Sequence, residues 1–198
     1  MELLNDSIRA FLAVELSDAL RASLAALLDQ LRQSDPKVSW VPPQNLHLTL
    51  RFLGDVERST LDTLDEELSQ TLREVEGFQL SVQGIGAFPN RRKPAIVWAG
   101  FLDPPKQLFT AQALTETTAC SIGLEAQARR FTPHITLGRI RDPRQALKIF
   151  DDIVHFETFQ AGEFSVRAVS LFSSELTAQG AIHRKLKEFA LKWTQPST

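Results

Sequence analysis

A four-residue pattern of histidine, an apolar residue, threonine and a second apolar residue occurs twice in this chain, at residues 47–50 (HLTL) and 134–137 (HITL). Each copy follows a proline-bearing approach and lies in a run whose alternation of apolar and polar residues predicts a half-buried β-strand. Because successive side chains of a strand point to opposite faces, the histidine and threonine of each copy share one face, while the apolar residues anchor the strand in the core. The chain is therefore expected to contain a repeat built on two such strands.

The two copies carry a candidate catalytic site. If the strands meet, His47, Thr49, His134 and Thr136 converge on one small polar pocket. Threonine hydroxyls can donate hydrogen bonds to the non-bridging oxygens of a phosphodiester, while one imidazole accepts a proton from water and the other protonates the departing oxygen. Histidine suits both tasks because its unperturbed pKa is about 6.5, but the motif residues alone do not say which histidine performs which task.

Other kinds of site fit the sequence less well. A single histidine on a half-buried strand is more often a hydrogen-bonded structural residue, but the matched pair of motifs reverses that preference. A metal site needs more ligands than are visible, because neither motif contains a carboxylate and the remaining His155 and His183 have no ligand spacing to each other. The sequence has neither the G-x-S-x-G elbow of a serine hydrolase nor a G-x-x-x-x-G-K-[ST] phosphate loop. We expect no metal and no cofactor.

The rest of the chain alternates predicted strands with amphipathic helices. Leucines at helical spacing after Ser17, a candidate N-cap, predict a helix that ends at residues 35–36. Further helices are predicted over residues 59–75, 105–122 and 145–151. Predicted strands span residues 8–16, 46–52, 78–82, 95–101, 131–139, 164–172 and 182–189, with a turn at residues 54–55 and a loop over residues 84–93. The last of these strands also fits a helical pattern.

Length and charge limit the classes of protein to consider. A chain of 198 residues with 43% hydrophobic content fits one large domain or two small lobes, and no linker divides it. The 22 basic and 24 acidic residues leave a net charge of −2, which argues against a protein that coats long nucleic acid but leaves room for a local basic cleft.

Cysteine usage and the N-terminal sequence bear on location. The only cysteine, Cys120, cannot form an intrachain disulfide, so a reducing cytoplasm is the expected setting. No basic leader precedes an apolar run at the N-terminus, and that run is shorter than the ~20 residues that span a bilayer. We expect no membrane segment and, because no exposed apolar helix stands out, a monomer.

At both motifs the sequence resembles the 2H phosphoesterase superfamily, which is named for its paired His-x-Thr-x motifs. Within it, the chain is most similar to the RNA 2′,3′-cyclic phosphodiesterases, also called 2′-5′ RNA ligases. The resemblance implies an α+β fold over residues 1–198, a single bilobal domain in which two pseudo-symmetric lobes, each with an antiparallel sheet and outer helices, flank a central cleft. It extends over most of the chain and is carried by IRAFLAVEL, WVPPQNLHLTLRFLGDV, GIGAFPNRRKPAIVWAG, RRFTPHITLGRIR and LFSSELTAQGA.

The resemblance also implies roles for residues. His47 would be the proton donor to the leaving 3′ oxygen and His134 the proton acceptor that activates water, which gives an RNA 2′-phosphate. Thr49 and Thr136 match the threonines that hold the phosphate. Arg130 and Arg139 flank the second motif and are candidates to add positive charge to the cleft, although an arginine near a strand end is as often a solvated surface residue. His183 departs from the family pattern, which favours tyrosine at that position.

Three rival functions use the same residues. The reverse reaction would join a cyclic phosphate end to a 5′ hydroxyl as a 2′-5′ bond, although the high concentration of water and the lack of an ATP motif favour hydrolysis. The partner would be an RNA with a 2′,3′-cyclic phosphate end, or else a related small cyclic nucleotide or an ADP-ribose cyclic phosphate. A module that binds RNA ends without turnover is the third alternative, and two intact motifs argue against it.

Overall fold

A curled antiparallel sheet organises the chain, whose computed structural model describes residues 7–35, 37–142, 146–178 and 180–193. Nine strands form this sheet within the described residues: β1 Ser7–Glu15, β2 Ser39–Trp40, β3 His47–Glu57, β4 Phe78–Phe88, β5 Ile96–Leu102, β6 Ile135–Arg139, β7 Gln160–Val166, β8 Ala168–Thr177 and β9 Gly180–Ala190. The helices that cover it are α1 Asp18–Ser34, α2 Arg58–Thr71, α3 Lys106–Ser121 and α4 Ala146–His155, with short 3₁₀ turns at Pro43–Asn45 and Leu72–Glu74.

The strand order divides the sheet into two half-sheets. The first contains β3, β1, β8 and β9, and the second contains β7, β4, β5 and β6, with β2 paired to β6. They are joined where β3 pairs with β6, and the register there consists of Leu48 opposite Ile135. The antiparallel α+β fold predicted from the sequence is confirmed, and the two motif strands lie side by side at its centre.

The order of elements repeats in the two half-sheets. Apart from the short β2, the order β1, α1, β3, α2 recurs after β4 as β5, α3, β6, α4, so each motif strand lies between two helices in the chain. The first helix of each unit crosses over, because α1 packs against β7 and α4 while α3 packs against β3 and α2. Each half-sheet is therefore covered partly by the helix of the other unit, which ties the two units together.

The first helix shows how the local sequence produces these elements. Ser17 caps α1, since its hydroxyl accepts a hydrogen bond from the backbone N–H of Leu20 at 3.3 Å. The leucine positions that predicted this helix form its buried stripe: Leu20, Leu24, Leu27, Leu28 and Leu31. The predicted start, end and buried face of α1 are thus confirmed.

Two predicted breaks in strands are wrong. The loop expected over residues 84–93 begins later, because β4 continues to Phe88, which pairs with Ile96 of β5. Gly86 lies inside this strand. The indole ring of Trp98 covers it, and a Cβ there would lie 2.3 Å from that ring, so glycine is needed for close packing and not for a turn. The turn expected at residues 54–55 lies inside β3, where Gly54 has a φ of +79° at an irregularity that bends the strand without reversing it.

Other boundaries also differ from the prediction. The single strand expected over residues 164–172 is two strands, β7 and β8, separated at Arg167. The strand expected from residue 131 starts at Ile135, and the helix expected to end at residue 75 ends at Thr71 and continues as a 3₁₀ turn. The C-terminal segment that fits either a strand or a helix is a strand, β9. The helix expected over residues 145–151 extends to His155 as α4, and its predicted start at residue 145 lies outside the described residues.

The sheet has a helix-covered face and an open face. On β1, Ala10, Leu12 and Val14 point into the hydrophobic core beneath the helices. Phe11 and Ala13 point the other way, yet they are only 3% and 0% exposed. The open face of the sheet therefore has its own buried floor, and the motif residues lie on this face. No helix within the described ranges is long and apolar enough to cross a membrane.

Candidate active site

The pairing of the two motif strands arranges the four motif side chains as the corners of a square. Leu48 and Ile135 are directly opposite in an antiparallel pair, so continuing this register places His47 opposite Thr136 and Thr49 opposite His134, the residue just before β6. Both apolar residues are fully buried on the helix side, which leaves all four polar side chains on the open face. The two histidines occupy one diagonal and the two threonines the other. Diagonal neighbours in such a pair are about 7–8 Å apart, which leaves space for a phosphoryl group between the imidazoles.

His47 is held by a backbone carbonyl and an aromatic ring. Its Nδ1 lies 2.8 Å from the carbonyl oxygen of Asn45. Because a carbonyl only accepts hydrogen bonds, Nδ1 carries the proton and Nε2 is left for chemistry. The ring of Phe11 stacks on the imidazole with the centroids 4.8 Å apart. The tautomer and the plane of His47 are thereby both defined by the protein.

His134 has the same kind of support in the second half-sheet. Its Nδ1 lies 2.7 Å from the carbonyl oxygen of Thr132, again two residues earlier in the chain, so its Nε2 is likewise free to react. The ring of Phe88 contacts it edge-on with the centroids 5.0 Å apart. The repeat seen in the sequence therefore extends to the hydrogen bonds and aromatic contacts of the two imidazoles.

Burial lowers the pKa of both histidines. For His47 the desolvation that disfavours the charged form is the largest cause, and repulsion from His183, His134 and Arg21 adds to it, so that its pKa falls to about 4. For His134 desolvation is again the main cause, with a contribution from Arg139. The carbonyl hydrogen bonds oppose the shift in both cases. Both imidazoles are therefore mainly neutral at pH 7 in the free protein.

Three of the four motif residues line a cleft of about 1080 Å³. His47, Thr49, Thr136 and Arg139 line it, whereas His134 lies outside its lining but close enough to repel a proton on His47. Arg130, the other arginine considered from the sequence, is exposed and does not line the cleft.

The cleft is basic although the whole chain is slightly acidic. Four arginines line it, Arg9, Arg32, Arg139 and Arg141, and the described lining residues include no aspartate or glutamate. Arg32 is partly neutralised by its ion pair with Asp29 at 3.1 Å. The lining therefore carries an excess of positive charge that suits an anion, which the net charge of −2 conceals.

Several residues of the site were missed by the sequence analysis. Phe11, Phe88 and Asn45 support the histidines, but the segment around Phe11 is apolar on both faces and so predicts only a buried strand. Asn45 acts through its main-chain carbonyl, which no sequence pattern specifies. Arg9 carries a weak signal, because it is a charged residue inside an otherwise apolar strand.

A second cavity of about 460 Å³ lies beside β3, lined by residues 51–54 and 123–128. Its cation, Arg51, is only 2% exposed and forms an ion pair with Glu116 on α3 at 3.2 Å. This buried pair links the motif strand to a helix. Elsewhere in the described chain no group of three or more histidine, cysteine, aspartate or glutamate side chains is placed to hold a metal ion.

Comparison with protein families finds the same repeat. The family model described as "LigT like Phosphoesterase" matches twice, over residues 14–98 and residues 102–183. Each match contains one of the two motifs. Together they cover most of the chain.

Curated relatives that match most of the chain in sequence share a name. The chain is 36% identical over 184 residues to the RNA 2′,3′-cyclic phosphodiesterase of Methanothermobacter thermautotrophicus, covering 93% of this chain and 99% of the relative. It is 32% identical over 181 residues to the RNA 2′,3′-cyclic phosphodiesterase of Archaeoglobus fulgidus, covering 91% of this chain and 99% of the relative.

Solved structures with the same architecture include TT0787 of Thermus thermophilus, with a TM-score of 0.79 and 26% identity over 94% of this chain and 99% of that one. A crystal structure of LigT from E. coli in complex with 3′-AMP matches with a TM-score of 0.73 and 26% identity, covering 93% of this chain and 98% of that one.

Proposed function

The chain belongs to the family of LigT-like phosphoesterases and hydrolyses a cyclic phosphodiester, and we propose that it opens RNA 2′,3′-cyclic phosphate ends with His47 and His134 as its acid and base. The observation that carries the mechanism is the diagonal placement of the two imidazoles across one antiparallel pair, Leu48 and Ile135. Displacement at phosphorus requires the entering and leaving oxygens on opposite sides of the phosphorus atom. The diagonal register of His47 and His134, with Nε2 left free on each imidazole, suits that requirement.

The proposed reaction is an in-line attack by water. The Nε2 lone pair of His134 accepts a proton from water as the water oxygen forms a bond to phosphorus. The bond from phosphorus to the 3′ oxygen breaks, and Nε2–H of His47 protonates that oxygen. The product is a 2′-phosphomonoester with a free 3′ hydroxyl, and one proton has moved from His47 to the product while His134 has gained one.

The low pKa of His47 in the free protein is compatible with its role as the acid. A unit negative charge about 4 Å away contributes about 4 kcal/mol at an effective dielectric constant of about 20. That energy raises a pKa by about 3, which would bring His47 from about 4 to near neutrality when the phosphate is bound. Substrate binding would then protonate the acid only when there is a leaving group to receive the proton.

The remaining polar groups of the cleft suit the anionic substrate. We assign the hydroxyls of Thr49 and Thr136 to the non-bridging oxygens, since they occupy the other diagonal of the square. Arg139 lies in the cleft lining and adds positive charge on the same side.

Further parts of the proposal concern the state of the protein. An acid and a base supplied by two imidazoles need no metal ion, so we propose metal-independent turnover. The continuous sheet supports one domain made of both half-sheets. We propose that this domain acts as a monomer in the cytoplasm, where the single Cys120 would stay reduced.

The test compares hydrolysis with ligation and an RNA end with a free nucleotide. The protein is incubated in EDTA and without ATP with an oligoribonucleotide that ends in a 2′,3′-cyclic phosphate, alone or with an acceptor RNA carrying a 5′ hydroxyl. We expect the phosphomonoester as the main product in both mixtures, and a higher kcat/KM for the oligonucleotide than for adenosine 2′,3′-cyclic phosphate, because the arginines of the cleft extend beyond the motif residues. Loss of turnover in EDTA that zinc restores, or ligated RNA as the main product, would contradict the proposal.

A further inference from the structure

A third histidine reaches the same site from the outer edge of the first half-sheet. His183 on β9 lies edge-on to His47 with the ring centroids 5.5 Å apart, and edge-on to Phe11 at 5.0 Å. Asn45 donates a side-chain hydrogen bond at 2.7 Å to the backbone carbonyl of Ala181, two residues before His183. The hairpin of β8 and β9 is thereby tied to the residue whose own carbonyl holds His47.

The free polar atom of His183 can be identified from its surroundings. Its Nδ1 is buried and has no hydrogen-bond partner among the described residues. A buried N–H without a partner is rarer and more costly than a buried lone pair, so the proton lies on Nε2. His183 lines the cleft, and because its Nδ1 is buried, Nε2 is the remaining polar atom of the ring. His183 therefore offers one N–H donor to whatever occupies the cleft.

We propose that His183 is a substrate-binding residue, which donates its Nε2–H to an oxygen of the terminal cyclic ribose phosphate. This inference rests on the proposed function. His47 meets the 3′ oxygen of that same ring, and His183 contacts His47 directly, so an acceptor next to the 3′ oxygen is within reach of both imidazoles. The described contacts of His183 include no protein acceptor that competes for this hydrogen bond.

A neutral donor at this position is more useful than a charged one. Positive charge on His183 disfavours protonation of His47, since the two rings are close. Burial lowers the pKa of His183 and so keeps it uncharged near pH 7. Lysine or arginine in its place would hold the phosphate equally well but would oppose the protonation that the acid needs.

Two substitutions separate the donor from the packing of the ring. His183→Phe keeps an aromatic ring against Phe11 and His47 but removes the donor. His183→Gln removes the ring but keeps an Nε2–H donor at the same number of bonds from Cβ. If the donor matters, kcat/KM for the cyclic-phosphate oligonucleotide falls about tenfold or more in His183→Phe and stays within about threefold of wild type in His183→Gln. The inference is overturned if His183→Phe is as active as wild type, or if His183→Gln loses as much as His183→Phe.

A binding measurement keeps the inference testable if the proposed function fails. Wild type and His47→Ala are assayed beside the two variants, so that absence of turnover in wild type identifies a failure of the proposed function and not of His183. Protein with ¹⁵N-labelled histidine is then titrated with adenosine 2′-phosphate. We expect a proton on Nε2 of His183 in the free protein, a shift of that resonance on binding, and an affinity reduced in His183→Phe but not in His183→Gln. An Nδ1–H tautomer, or equal affinities, would overturn the inference, and thermal melting of each variant identifies any that fails to fold.

Discussion

Replacing either His47 or His134 by alanine is expected to lower turnover of a cyclic-phosphate RNA end by ~10²-fold or more, as loss of a general acid or general base does. The proposed mechanism gives each histidine a different proton transfer in the same step, so neither imidazole of the diagonal can perform the task of the other. Both side chains are half-buried on the open face, so their removal leaves the hydrophobic core under the helices intact. Steady-state rates and thermal melting of both variants measure the two effects separately.

A matched control is available in His155 at the end of α4, which is exposed and lies outside the cleft. His155→Ala should keep wild-type turnover. If either motif variant retained the wild-type rate, or if all three histidine variants lost activity equally, the assignment of His47 and His134 would be wrong.

The second large effect is the dependence of kcat/KM on pH. This ratio reports the pKa values of the free enzyme, and both histidines have theirs lowered below 6.5. In the active form one of the two imidazoles is protonated to the imidazolium and the other is neutral. Above the higher of the two pKa values both imidazoles are neutral, so kcat/KM should fall about tenfold per pH unit, which is about a hundredfold between pH 7 and pH 9. At low pH both are protonated, and kcat/KM should fall again.

The same mechanism predicts that the pH profile of kcat is displaced from the pH profile of kcat/KM. Bound phosphate raises the pKa of His47, so the alkaline limb of kcat should lie at higher pH than that of kcat/KM.

In His134→Ala the residual kcat/KM should fall as pH rises through the pKa of His47, whereas in His47→Ala it should rise through the pKa of His134 and then level off. Rates measured at two viscosities show whether chemistry limits turnover. A kcat/KM that is constant or rises from pH 7 to pH 9 would contradict the paired-histidine mechanism.

The sequence predicted the motif strands well because their signal is local. Alternation around Leu48 and Ile135 identifies a strand, and the same alternation assigns histidine and threonine to one face. That these two strands are neighbours follows from long-range pairing, which no local pattern specifies. The resemblance to a known family supplied that step, and the register then determined which threonine lies beside which histidine.

Other features were missed because tertiary contacts override local signals. Gly54 predicts a turn, but β1 pairs along both sides of it and keeps β3 extended through a bend. Phe11 sits in a strand whose two faces are both buried, so its sequence does not separate the core from the floor of the cleft. Arg130 and Arg139 both flank the second motif in sequence, but only Arg139 lies in the cleft lining.

The most direct test of the central claim is to identify the product formed in ¹⁸O-labelled water. The protein is incubated in EDTA, without ATP, with an oligoribonucleotide ending in a 2′,3′-cyclic phosphate, and the product is examined by ³¹P NMR and mass spectrometry. The proposed mechanism, in which water activated at His134 attacks in line and His47 protonates the 3′ oxygen, predicts a 2′-phosphate that carries one ¹⁸O. Neither His47→Ala nor His134→Ala should form this product at a comparable rate. A 3′-phosphate, or a product without ¹⁸O, would contradict the assigned direction of attack and the roles of both histidines.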